Sequence, residues 1–131
     1  MDRTIIREKA QFLENLGYTR IEDMYSIKYA LNDICISIIY PPNSDESEVN
    51  IRFGKQNKVF SVSWIALVRG NIKGSREKIT HVIELLKYIE NQHSQISNYQ
   101  FCEESKWLID KYVLENREKF EEAVQKILDE N

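Results

Sequence analysis

The dipeptide Asn32-Asp33, set between two runs of alternating apolar and polar residues, constrains this chain more than any other feature. Both residue types tolerate the left-handed backbone of a two-residue hairpin turn, so the flanking runs read as paired antiparallel strands. A turn there sets Leu31 opposite Ile34, Tyr29 opposite Ile36, Ile27 opposite Ile38 and Tyr25 opposite Tyr40, four apolar pairs on one face. A slip of one residue would carry the whole set to the other face, so register and core side follow together.

The same reasoning extends along the chain. Residues 4–16 read as a helix, with Ile5, Ile6, Ala10, Phe12, Leu13 and Leu16 at helical spacing and Gly17 as its C-terminal cap. Strands are predicted at 25–31, 34–40, 48–53 and 58–67, separated by turn chemistry at 32–33, 41–47 and 54–57. A loop at 54–57 pairs Ile51 with Phe60 and Val49 with Val62. Ser26, Lys28, Cys35, Ser37, Glu48, Asn50, Arg52, Ser61 and Ser63 line the opposite, wetter face, interrupted by Ile39, Ile65 and Leu67, so part of it is expected to be covered.

From Ser75, placed to cap it, the spacing predicts a helix to about residue 92, with Ile79, Val82, Ile83, Leu86 and Ile89 on one face. Two more helices are expected at about 103–114 and 117–130. The expected architecture is one α+β domain over residues 1–131, a four-stranded antiparallel meander with an N-terminal helix and three C-terminal helices in two layers. Because strands do not alternate with helices, a parallel nucleotide-binding sheet is disfavoured.

A chain of 131 residues buries roughly two-thirds of its unfolded surface without staples or metals. The N-terminus carries Asp2, Arg3, Arg7 and Glu8 where a signal peptide needs an apolar run, and no segment approaches the length of a membrane span, so the cytoplasm is the expected location. Cys35 and Cys102 form neither a disulfide framework nor a Cys-x-x-Cys motif and read as reduced thiols. Charge is partitioned: residues 1–54 carry 6 basic and 9 acidic side chains, residues 55–88 carry 7 and 2, and residues 89–131 carry 5 and 10. Such asymmetry bears on partners and steering.

Four groups of residues merit a functional reading beside a structural one. The segment 69–78 is basic, carries two glycines and is expected to join a strand to a helix, so Arg69, Lys73, Gly74, Ser75 and Arg76 form a candidate anion or nucleotide site. Its glycines lie one residue too close for a P-loop and the lysine after the second is missing, which favours a plain connection. His81, Glu84 and Tyr88 share the expected outward face of the 75–92 helix, where an acid-base pair is conceivable but a solvated stripe is the simpler reading. Neither nucleophile nor paired-histidine metal set accompanies them, so no catalysis, metal or cofactor is expected.

The loop after Tyr40 opens on two prolines and ends on Asp45, Glu46 and Glu48. Glu118, Glu122 and Asp129 form a second acidic line on the last helix. Either could meet a basic protein, and either could be a solvated surface. The tyrosines read as core, because only Lys28 and Arg52 occupy strand interiors and both lie on the opposite face, which argues against stacking on nucleic acid. Trp107, Leu108, Ile109, Tyr112, Val113 and Leu114 surround most of the 103–114 helix, which implies burial on two sides or a partner, including a second copy.

In size, acidity and helix-meander-helix layout the chain resembles bacterial immunity proteins, small inhibitors that protect a cell against a cognate toxin. The resemblance implies a non-catalytic protein that occludes a toxin domain, with Asp45, Glu46, Glu48, Glu118, Glu122 and Asp129 as natural contacts for a basic partner. Secretion chaperones are also small and acidic, and a homodimer through the 103–114 helix would favour that reading. Their helix within the run of strands has no counterpart in this sequence.

Overall fold

The Asn32-Asp33 turn closes the hairpin in the expected register: Leu31 faces Ile34, Tyr29 faces Ile36 and Ile27 faces Ile38. Asn32 takes the left-handed conformation, φ 53°. Asp33 ties this turn to the next one along the sheet. Its carbonyl accepts from the Gly54 amide at 2.9 Å, and its carboxylate accepts from the Lys55 amide at 2.8 Å. The computed structural model describes residues 3–44, 46–74 and 77–130.

Five strands form one antiparallel sheet in chain order: β1 (Thr19–Glu22), β2 (Ser26–Leu31), β3 (Ile34–Ile39), β4 (Glu48–Phe53) and β5 (Lys58–Ser61). The sheet therefore has five strands rather than the expected four. β1 escapes a search for apolar alternation because its core-side positions, Arg20 opposite Tyr29 and Glu22 opposite Ile27, are charged. They are matched by charges from the N-terminal helices α1 (Arg3–Lys9) and α2 (Gln11–Asn15). Arg3 and Arg7 reach Glu22 at 3.4 and 2.9 Å, and Arg20 reaches Glu14 at 3.4 Å, so an ion network seals this edge where an apolar pair would otherwise lie. The single helix expected over 4–16 is broken at Ala10, while Ile6, Ala10 and Leu13 keep one buried face. Gly17, at φ +104°, lets the chain turn back into β1.

Tyr25 departs from its expected place in the core. Strand β2 starts one residue later, and although Tyr40 donates its amide to the Tyr25 carbonyl at 2.7 Å, the Tyr25 side chain is 57% exposed. The reason lies in the preceding turn, where the Asp23 carboxylate accepts from the Tyr25 amide, the Ser26 amide and the Ser26 hydroxyl at 2.8, 2.7 and 2.9 Å. These bonds hold the Asp23 carboxyl below its ordinary pKa of 3.8. A depressed folded pKa stabilises the protein above the unfolded value and loses that stabilisation as pH falls through the folded one. Asp23→Asn is therefore expected to make the acid limb of thermal stability shallower; an unchanged acid limb would refute this assignment.

The predicted strand at 58–67 also splits. The ladder ends at Asn50 opposite Ser61, and α3 (Val62–Gly70) begins, its first turn capped by the Ser61 hydroxyl accepting from the Trp64 amide at 3.4 Å. Ile51 still faces Phe60, but Val62 opens a helix instead of pairing with Val49. Ile65, which broke the polarity of the supposed strand, is a buried helix residue, and Leu67 lies in the same helix, partly buried.

Beyond it come α4 (Lys78–Asn91), the short α5 (His93–Ile96) and α6 (Tyr99–Asp129). Ser75, expected as the cap of α4, lies outside the described residues, and Glu77 stands at the N-cap with extended backbone, its side chain not capping the helix. The two last helices of the sequence reading are one helix of 31 residues, about 46 Å long at about 1.5 Å per residue. Neither Gly nor Pro interrupts it at 115–116, so nothing stops its propagation.

The core joins Ile27, Tyr29, Ile36, Ile38, Val49 and Ile51 of the sheet to Leu13, Ile65, Leu86 and Ile89 of the helices. At its end, Phe53, Phe60 and Tyr99 meet edge to face, with centroids 5.5 to 5.9 Å apart.

Candidate functional site

The two acidic groups sit on separate elements. Glu46 and Glu48 are exposed in and after the β3–β4 connection, beside a recess of about 240 Å³ lined by Ile39, Pro41, Glu46, Ser47 and Glu48. The connection is fastened by Lys78, whose ammonium donates to the Pro41 and Ser44 carbonyls and lies 4.0 Å from the Tyr40 ring centroid. Asp45 lies outside the described residues. Glu118, Glu122 and Asp129 stand on the far part of α6, all exposed, with Gln125 donating to the Asp129 carboxylate at 2.9 Å. At helical spacing they share one side of α6 with Glu115.

The basic 69–78 segment connects two helices rather than a strand and a helix, because Arg69 belongs to α3. The Arg69 guanidinium donates to the Ser105 hydroxyl at 2.9 Å and lies 4.5 Å from the Phe101 ring centroid. It thus fastens α3 to α6. Lys73 and Gly74 are exposed, Ser75 and Arg76 lie outside the described residues, and Lys78 is turned to the acidic loop. Gly70 is required by packing: a Cβ there would meet Cε1 of Tyr88 at 2.9 Å.

Tyr88 is consequently not on the outward stripe expected with His81 and Glu84. It is 8% exposed, and burial pushes its hydroxyl pKa up. His81 lines a recess with Ser63, Trp64, Leu67, Ile72 and Gly74, and its Nδ1 has no hydrogen-bond partner among the described residues. His93 is used in the fold, bonded to the Tyr18 hydroxyl at 2.8 Å, with its pKa lowered by burial. Cys102 is buried in α6. Cys35 is half-buried on β3. Among the described residues no three metal-binding side chains gather in one place, and no helix is long and apolar enough to cross a membrane.

The apolar residues of α6 change from half-buried to exposed along the helix. Leu108 and Ile109 are half-buried, but every residue from 110 to 130 is exposed. Trp107, Phe120, Ile127 and Leu128 reach 65, 69, 61 and 61%. Trp107 belongs to the group expected to be buried on two sides or to meet a partner, and the Lys111 ammonium lies 5.6 Å from its ring centroid. A free helix with an apolar side and an acidic side is the most conspicuous surface of the molecule.

The chain matches no family model, no curated protein and no solved structure.

Proposed function

We propose that this chain is a non-catalytic protein-binding protein of the immunity type, which binds a basic bacterial toxin domain and occludes its active site. The observation that supports this best is the exposed acidic line of Glu115, Glu118, Glu122 and Asp129 on a helix that extends clear of the sheet. A linear array of carboxylates on a rigid helix accelerates encounter with a positive partner and selects against negative ones. Glu46 and Glu48, exposed beside a connection that Lys78 fastens at Pro41 and Ser44, offer a second acidic contact.

The anion-site reading loses ground because Arg69 is engaged with Ser105 and Phe101, leaving Lys73 as its described cation. The secretion-chaperone reading lacks its usual helix between strands, since all five strands are consecutive.

The test begins with the protein that co-purifies from the native host. A toxin domain is expected, and Glu118→Lys, Glu122→Lys and Asp129→Lys together should slow its association at least tenfold at low salt and flatten the salt dependence. Unchanged association rates and salt slope would overturn the role of this line.

A further inference from the structure

The apolar side of α6 raises a question separate from the acidic one. Arg69 meets Phe101 and Ser105 while Trp64 meets Tyr112, so α3 runs antiparallel to α6 and gives out beside Tyr112. At 3.6 residues per turn, Val113, Phe120 and Ile127 fall on the same side of α6 as Cys102 and Ile109, which belong to or pack on the core. The stripe that the domain covers thus continues, uncovered, for about 20 Å beyond α3.

We propose that this stretch of α6 pairs antiparallel with the same stretch of a second copy, forming a two-fold dimer. Three observations select that occupant. Ile109, Val113, Asn116, Phe120, Ala123 and Ile127 alternate steps of four and three residues, the seam that packs best against another helix carrying the same seam. A two-fold contact must also match itself when reversed. Val113-Leu114 lie seven and six residues before Phe120, and Ile127-Leu128 lie seven and eight after it. Antiparallel pairing about Phe120 therefore sets Val113 on Ile127 of the second copy and Phe120 beside its counterpart. It also brings Arg117 within a turn of Glu121 of the second copy.

The third observation is spatial. In a parallel pair both domains would lie at one end and on the seam side, where Cys102 and Ile109 already pack each helix onto its own core. In an antiparallel pair the two domains lie at opposite ends of the paired helices, clear of each other. Glu118, Glu122 and Asp129 lie on the opposite side, so the dimer presents both acidic lines outward. The dimer does not depend on what those lines bind.

Light scattering on the full chain over a wide concentration range is expected to give twice the 15.6 kDa chain mass. Phe120→Glu with Ile127→Glu should halve that mass while leaving the near-ultraviolet circular dichroism of the domain unchanged, because both residues are exposed. In a Cys35→Ser background, mixing Val113→Cys with Ile127→Cys should give the mixed disulfide in preference to either symmetric one. A monomer at every concentration, a dimer indifferent to the paired substitution, or cross-linking only between like positions would each overturn the proposal. Loss of toxin binding in a protein that still dimerises would remove the functional reading and leave this one standing.

Discussion

Ile36→Ala is expected to cost about 3 to 4 kcal/mol of folding stability. Ile36 is fully buried in β3, faces Tyr29 on one side and Ile51 on the other, and has a helical layer over it. Both neighbouring strands are held in register by further pairs, so the sheet cannot collapse into the void that truncation leaves. A loss of that size is a large fraction of the total for a domain of this length. The urea midpoint should fall steeply with little change in slope, whereas Val59→Ala on the exposed strand β5 should change stability by about 0.5 kcal/mol or less. Equal effects at the two positions would mean that the face assignment of the hairpin is wrong.

The second large effect is expected on the alkaline side. Cys102 is fully buried, donates to the Ile96 carbonyl at 3.3 Å, and has its thiol pKa pushed up to about 12 by burial. Tyr29 is likewise fully buried, its hydroxyl has no hydrogen-bond partner among the described residues, and burial raises its pKa to about 12. Both groups are neutral in the native state and lose their protons more readily once unfolded, at ordinary values of 9.0 and 10.0. Their contributions are therefore complete below those values and vanish as pH rises toward 12. Ionising either buried group therefore destabilises the fold, and stability is expected to fall steeply on the alkaline side. Tyr29→Phe and Cys102→Ala should each reduce the stability lost between neutral and alkaline pH. If neither variant alters that loss, burial is not what opposes their ionisation.

The hairpin pairs were legible because they are local. Asn32-Asp33 sets the turn, alternation sets the face, and no distant residue is needed to decide either. Similarly, Ile51 opposite Phe60 followed from a four-residue loop. Legibility failed where a residue's role depends on what covers it. Strand β1 is invisible to apolar patterning because Arg20 and Glu22 are satisfied by Arg3, Arg7 and Glu14 from helices earlier in the chain. The stretch 58–67 reads as a strand because Val62, Ile65 and Leu67 suit either period over so short a window, and the Ser61 cap decides for a helix.

The candidate site divides in the same way. Glu118, Glu122 and Asp129 were placed correctly on one helical line, since spacing alone puts them there. Arg69 reads as a free cation in sequence but is a fastener between α3 and α6, a contact spanning 36 residues. Tyr88 reads as outward and is buried beneath Gly70.

From the chain of residues alone come β2 to β4 of the meander, their register and their core side, because these rest on periodicity and turns within a few residues. Only the tertiary structure decided that the last apolar residues are uncovered. Amphipathic spacing says which side of a helix is apolar, but whether that side meets its own domain depends on where the domain ends. Here α3 stops at the level of Tyr112, and α6 continues without it.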